Sequence, residues 1–148
     1  MSEEKIASVI HDFVEAYVKR DVKKTLSFLT EDVVWAQPEG TFKGKEEVKR
    51  LLAWLPQSFW WSQVKVRDAG VGILVKGNKA VYEQIIEGVS AHSRTYEAPA
   101  ISIFEFSGEK IQQHRTLCDR MTLGKQGCGG WVGRRILRGI LNTWEGGL

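Results

Sequence analysis

The hydrophobic period of this chain changes once, near residue 62, and that change limits the folds open to it. Upstream, apolar residues recur at helical spacing. Ile6, Val9, Ile10, Phe13, Val14 and Tyr17 predict an amphipathic helix over about 3–19, with Glu3 and Glu4 at its start and Lys19 and Arg20 at its end, complementing the helix dipole. Asp21 is suited to cap a short second helix carrying Val22, Leu26 and Leu29, which the turn Thr30-Glu31-Asp32 ends. A short strand, Val33-Val34-Trp35-Ala36, stops at Pro38-Glu39-Gly40. A third helix follows from about Lys45 to Leu55, with Val48, Leu51, Leu52 and Leu55 inside. Beyond residue 62 the period is two. Turn signals at Gly77-Asn78, Ala91–Arg94 and Ser107-Gly108-Glu109 divide this half into strands over roughly 62–76, 80–91, 94–106 and 110–123. Helices followed by a curved antiparallel sheet make an α+β domain with the helices packed on one face.

Composition bounds the class. At 148 residues, 43% hydrophobic and 26% charged, the chain is one globular domain that needs no disulfide or metal staple. The net charge of +3 belongs to residues 124–148, where Lys125, Arg134, Arg135 and Arg138 face Glu145 alone; residues 1–123 balance at 17 against 17. A neutral body argues against nucleic acid as a partner. Cys118 and Cys128 have neither metal-ligand nor framework spacing, and neither a leader-like N-terminus nor an apolar run of about 18 residues is present. The expectation is a cytoplasmic protein without cofactor or metal.

Glycines at 124, 127, 129, 130 and 133 read as a hinge, dividing a body (1–123) from a tail (124–148). Residues 131–144 predict a last amphipathic helix, with Val132, Ile136, Leu137, Ile140, Leu141 and Trp144 opposite three arginines. Packing over the body is its preferred use, ahead of docking another protein or contact with a membrane surface.

The order helix, helix, short strand with Trp35-Ala36-Gln37-Pro38-Glu39-Gly40, helix beginning Phe42-Lys43-Gly44-Lys45-Glu46-Glu47-Val48, and then four strands resembles the nuclear transport factor 2-like superfamily. The segment Thr95–Phe106, followed by Gly108-Glu109-Lys110-Ile111 and His114-Arg115, carries the strongest likeness, to the branch of SnoaL-like polyketide cyclases, ketosteroid isomerase and limonene-1,2-epoxide hydrolase. The resemblance covers residues 3–123. It implies a cone in which the curved sheet and helices enclose a deep apolar pocket for a small lipophilic ring compound, and a homodimer.

With Trp35 and Gln37 inward, as the resemblance implies, strand alternation sends inward Tyr82, Gln84 and Ile86; Ala98, Ala100, Ser102 and Phe104; and His114, Thr116 and Cys118, joined by Phe13 and Tyr17 from the first helix. Asp119 points outward unless a bulge shifts the last strand, in which case the catalytic assignment moves to it. Glu83, Glu87, Glu97 and Glu105 fall on the opposite face, as partners for Arg94 or Arg115. His11, near Glu15, reads as solvated, and Phe59-Trp60-Trp61 as a lid, dimer contact or packing.

The family chemistries do not transfer intact. The ketosteroid isomerase pattern needs a carboxylate base and an oxyanion hole of tyrosine and aspartic acid; the matching residues are Gln37, Phe13 and Ser102, and an amide cannot take a proton from carbon. The epoxide hydrolase pattern falls on Thr116, Trp35, Gln37, Gln84 and Ile86, of which only Gln37 retains the family group. His114, the one inward imidazole, is the catalytic candidate, neutral when buried. Gln37, Gln84, Ser102 and Tyr82 would orient substrate or water. The expected activity is acid–base chemistry on a lipophilic ring-containing substrate: isomerisation, cyclisation, dehydration or hydrolysis. The alternatives are a non-catalytic binder of a small hydrophobic ligand and an interaction module working through the tail.

Overall fold

The computed structural model describes residues 1–57, 63–89 and 95–119, with Gln126, Arg135 and Arg138. Helix α1 (Glu3–Val18) opens on Ser2, whose hydroxyl accepts the Lys5 N–H at 3.3 Å, and buries Ile6, Ile10, Phe13 and Ala16 on one face. It ends in a Schellman turn: Arg20 N–H bonds Tyr17 C=O and Asp21 N–H bonds Ala16 C=O, with Arg20 left-handed at φ 61°. Asp21 then caps α2 (Val22–Ser27) by accepting the Lys24 N–H at 2.9 Å, so two helices share one tight corner.

The strands are β1 (Leu29–Gln37), β2 (Gly40–Lys43), β3 (Gln63–Lys76), β4 (Lys79–Val89), β5 (Thr95–Ser107) and β6 (Lys110–Cys118), with α3 (Gly44–Trp54) between β2 and β3 and a single 3-10 turn at Leu55–Gln57. They form one open, curved sheet in the order β2-β1-β6-β5-β4-β3. Every pairing is antiparallel except β1 with β6, which is parallel. The α+β class and the helices on one face are as the sequence implies.

Two details differ. Thr30-Glu31-Asp32 does not terminate the second helix as a turn; it lies within β1, whose register against β6 slips between Leu29 and Val34. Pro38-Glu39 is a two-residue hairpin turn into β2, a strand too short to show a period. The expected last helix falls outside the described residues apart from Arg135 and Arg138, which are helical and exposed. Phe59-Trp60-Trp61, the Ala91–Arg94 turn and the end of the last predicted strand also fall outside them.

Irregularities bend the sheet. From Asp68 to Ile73, β3 takes five steps while β4 takes two, from Gln84 to Tyr82. The surplus forms a bulge with Gly70 (φ 47°) and Gly72 (φ 63°) left-handed. The Glu83 carboxylate fills the bulge, accepting the Val71 N–H at 3.1 Å, and a Cβ on Gly70 would overlap it. A second bulge sets the functional face of β6. Opposite Glu105 and Phe106 stand Gln113 and Ile111, leaving Gln112 extra, so Ile111 and His114 both turn inward.

The core lies between α1, α3 and the sheet. Trp35, Val33, Phe104, Phe13, Ile10 and Ile111 are essentially inaccessible, each such burial contributing about 1.5–3 kcal/mol.

Candidate functional site

A cavity of about 220 Å³ opens between α1 and the inner sheet face, lined by Phe13, Val14 and Tyr17 from α1, Gln37, Pro38 and Glu39 at the end of β1, Val66 from β3, Gln84 and Ile86 from β4, Tyr96 and Ser102 from β5, and His114, Thr116 and Cys118 from β6. It is small for a ligand pocket and mostly apolar with a few polar groups, the composition such sites share.

Period-two geometry builds the polar wall. Ser102 stands opposite Thr116, and Phe104 opposite His114. Gln84 Nε2 donates to Ser102 Oγ at 2.8 Å, Ser102 Oγ lies 2.9 Å from Thr116 Oγ1, and Thr116 Oγ1 lies 3.0 Å from His114 Nε2. The proton order in this row follows from valence. If each hydroxyl donates onward, Ser102 to Thr116 and Thr116 to His114 Nε2, every hydroxyl proton is used. With the Gln84 amide turned Nε2 toward Ser102, the opposite order leaves the Ser102 proton without an acceptor; with the amide turned the other way, Oε1 accepts it and the imidazole proton sits on Nε2. The first order places the imidazole proton on Nδ1.

Aromatic rings enclose His114: Phe104 stacks on it at 4.7 Å, while Trp35 at 4.5 Å and Phe13 at 5.4 Å meet it edge-on. It is 5% exposed. Burial lowers its pKa to about 3, so the ring is neutral at pH 7. That same burial makes it a feeble proton acceptor and leaves it intact as a hydrogen-bond donor. Among the described residues, three buried atoms of the site have no hydrogen-bond partner: Gln37 Nε2, Gln84 Oε1 and His114 Nδ1.

The remaining sequence candidates divide. Trp35, Tyr82, Ala100 and Phe104 are buried but do not line the cavity. Trp35 Nε1 donates to Gln37 Oε1 at 2.9 Å and orients that amide. Tyr82 sends its hydroxyl away, to Asp68 Oδ1 at 2.7 Å, with exposed His11 edge-on at 5.8 Å. Gln37 and Gln84 therefore bond other partners, not each other. Asp119 is exposed and follows the end of β6, its N–H bonded to Pro99 C=O at 3.4 Å. Cys118 lines the cavity four residues from His114 on the same strand, a spacing of about 13 Å along it, too far for a Cys–His pair. On the outer face Glu87 and Glu97 pair with Arg67, and Glu105 with Lys79, rather than with Arg115.

Sequence reasoning missed Val14, Val66, Tyr96, Pro38 and Glu39. Tyr96 continues the alternation of Ala98 and Ala100. Its phenol lies over Gly88, directly across β4, where a Cβ would overlap it. Burial, then Cys118, pushes its pKa up to about 12. Glu39 lies in the hairpin turn, beyond the reach of a strand pattern, and is the one carboxylate among the described lining residues. Burial and then the Glu39 charge hold the Tyr17 hydroxyl well above its usual range. Among the described residues no group of His, Cys, Asp and Glu side chains is arranged to hold a metal, and no helix is long and apolar enough to cross a membrane.

A family model for the SnoaL-like domain matches residues 10–114, well over half the chain, and the protein belongs to that family. Solved structures agree on the fold. An NTF2-like protein of unknown function from Burkholderia pseudomallei superposes with a TM-score of 0.75 at 17% identity, covering 87% of this chain and 100% of that one. A SnoaL-like polyketide cyclase, so named provisionally, from Jannaschia gives 0.74 at 12% identity over 88% and 97%. A protein of ketosteroid isomerase-like fold from Catenulispora acidiphila, in complex with trimethylamine, gives 0.71 at 14% identity over 80% and 91%. No curated protein matches the sequence.

Proposed function

We propose that this protein binds a small lipophilic, ring-containing molecule in the cavity and acts on it by acid–base chemistry of the isomerase or cyclase kind. The observation that carries the reading is the hydrogen-bonded row Gln84–Ser102–Thr116–His114, which ends in an apolar cavity on a buried imidazole with a partnerless Nδ1. A neutral imidazole donating from Nδ1 would stabilise negative charge developing on a substrate oxygen, with the donor fixed beforehand by the row. Proton acceptance falls to Glu39, at the cavity wall beside Tyr17. His114 thus works as the electrophilic partner rather than as the base.

The test is turnover. Once a substrate is found, His114→Gln and Glu39→Gln should each lower kcat by about 10²–10⁴-fold, with KM changing only a few-fold. Unchanged turnover in both variants overturns the assignment. A second reading, a binder that has lost its chemistry, is favoured by the exposure of Glu39 to solvent; in that case ligands raise the melting temperature and no product forms.

The reading includes a cytoplasmic homodimer formed through the outer sheet face. Leu74 opposes Val81 and Ile101 opposes Leu117 there, and these four are 56%, 38%, 43% and 55% exposed. The two pairs are offset by two residues where β4 meets β5, Val81 standing opposite Ile103 and Ile101 opposite Glu83, and together they expose apolar surface that association would cover. That the Catenulispora relative holds a small amine supports a small ligand in a cavity of this fold.

A further inference from the structure

Tyr96 belongs to two hollows at once. It lines the cavity, and it also lines a recess of about 380 Å³ at the end of the sheet where β3 begins and β4 ends, with Gln63, Lys65, Gly88 and Glu97. The residue is itself buried, 5% exposed, so it stands between the two hollows rather than at a rim. Its phenol reaches to Gly88 on the neighbouring strand, which lines the recess and is not among the residues lining the cavity. A Cβ on Gly88 would overlap both the phenol oxygen and the Gln63 carbonyl oxygen. The glycine thus keeps open the space that the ring fills, the usual meaning of glycine inside a strand where another group approaches closely. Other lining residues do not divide space in this way. Tyr17 also borders a second hollow, but one of about 10 Å³, room for no more than about one water. Glu39 also borders a surface groove, but is exposed at the cavity's edge.

Volume decides what such a partition does. A dry apolar cavity of about 150 Å³ accepts benzene. At about 220 Å³ this cavity has room for one six-membered ring and a few further atoms, and it falls below the range of about 300–1,000 Å³ that ligand pockets commonly span. We infer, resting on the reading above of the cavity as a site for a small lipophilic ring compound, that Tyr96 is the specificity-determining residue that limits it to single-ring molecules, by holding its phenol in the passage that would otherwise join cavity and recess. A fused second ring directed at that passage meets the phenol. The recess also differs in chemistry: Lys65 and Glu97 are exposed there, and Glu97 pairs with Arg67. The ring therefore separates a mostly apolar chamber from a charged one, and sets the polarity of the site along with its length.

Binding of p-cresol and 2-naphthol to the full chain, followed by chemical-shift titration of isotope-labelled protein, tests this. In a cavity without a length limit the naphthol, with its larger apolar surface, binds the more tightly. In the native protein it should instead bind at least about tenfold more weakly than the cresol, because it overfills the space. Tyr96→Ala should reverse the order, to at least about tenfold in favour of the naphthol. Tyr96→Phe, which keeps the ring and loses the hydroxyl, should keep the native order. Bound cresol should show nuclear Overhauser contacts to the Tyr96 ring and none to Gly88. Equal or tighter naphthol binding by the native protein, or the native order retained in Tyr96→Ala, overturns the inference and leaves the lipophilic cavity standing. If neither probe shifts a cavity resonance, the reading of the cavity falls and the inference with it. Tyr96→Leu takes the place of the alanine variant if that variant loses its folded spectrum. Should both unfold, the native rank order and the Overhauser contacts decide, and contact between cresol and Gly88 overturns the partition.

Discussion

At His114 one residue carries both the stability cost and the chemical use of burial. Its folded pKa, about 3, lies below the unfolded value near 6.5. Below pH 6.5 the unfolded chain therefore binds a proton that the folded chain refuses, and stability falls as pH falls. The contribution is complete above pH 6.5 and is lost toward pH 3 at about 1.4 kcal/mol per pH unit. Denaturant unfolding between pH 6.5 and 4.5 should show that slope, and His114→Gln should flatten it; an unchanged slope in the variant would mean that another group titrates. His114 was legible from alternation because the bulge at Gln112 lies before it and leaves the 114–116–118 face in phase. Glu39 and Tyr96 were harder to see. A turn residue has no alternation partner, and Tyr96 looks like a strand-end aromatic until Gly88 is seen to leave room for its ring.

Among the elements, helices and long strands were read closely because their apolar faces are long enough to show a period. The observed bounds of α1 and β3–β5 fall within a few residues of the expected ones. The four-residue β2 was missed for want of length, and the parallel pairing of β1 with β6 was missed because hydrophobic pattern does not encode strand direction. The β3 bulge is an element-scale device with a specific dependence. Gly70→Ala places a methyl on the Glu83 carboxylate at φ 47°, where side chains are strained. It should destabilise by about 1–3 kcal/mol, measured by thermal unfolding. Glu83→Ala should restore part of this loss in the double variant, since the clash is removed and the backbone strain remains. Additive losses would show that the carboxylate is not the obstacle.

For the whole molecule, the inner and outer faces of one sheet pose separate questions. The inner face closes a cavity against α1; the outer presents an apolar stripe bordered by the Arg67–Glu87–Glu97 cluster. If the stripe is a dimer contact, sedimentation of the protein at micromolar concentration should give twice the monomer mass. Leu117→Lys should then return it to monomer while leaving ligand-induced shifts in the cavity unchanged. A monomeric native protein would remove the dimer from the functional reading without touching the pocket. The fold was recognisable from residue order because superfamily membership is written in topology and turn residues. Activity was less so, because Gln37, Thr116 and Ser102 stand where the known chemistries keep other groups.

Gln126 gives this arrangement a boundary. Beyond the end of β6, the edge of β5 at Glu97 is closed by a side chain: Gln126 Oε1 accepts the Glu97 N–H at 2.6 Å and Gln126 Nε2 donates to the Glu97 C=O at 3.0 Å. One amide thus substitutes for a missing strand, one residue from Tyr96 at the cavity wall. This described point of the basic tail is therefore also a rivet at the cavity's rim. Loosening that rivet bares the Glu97 backbone edge beside a residue of the cavity wall.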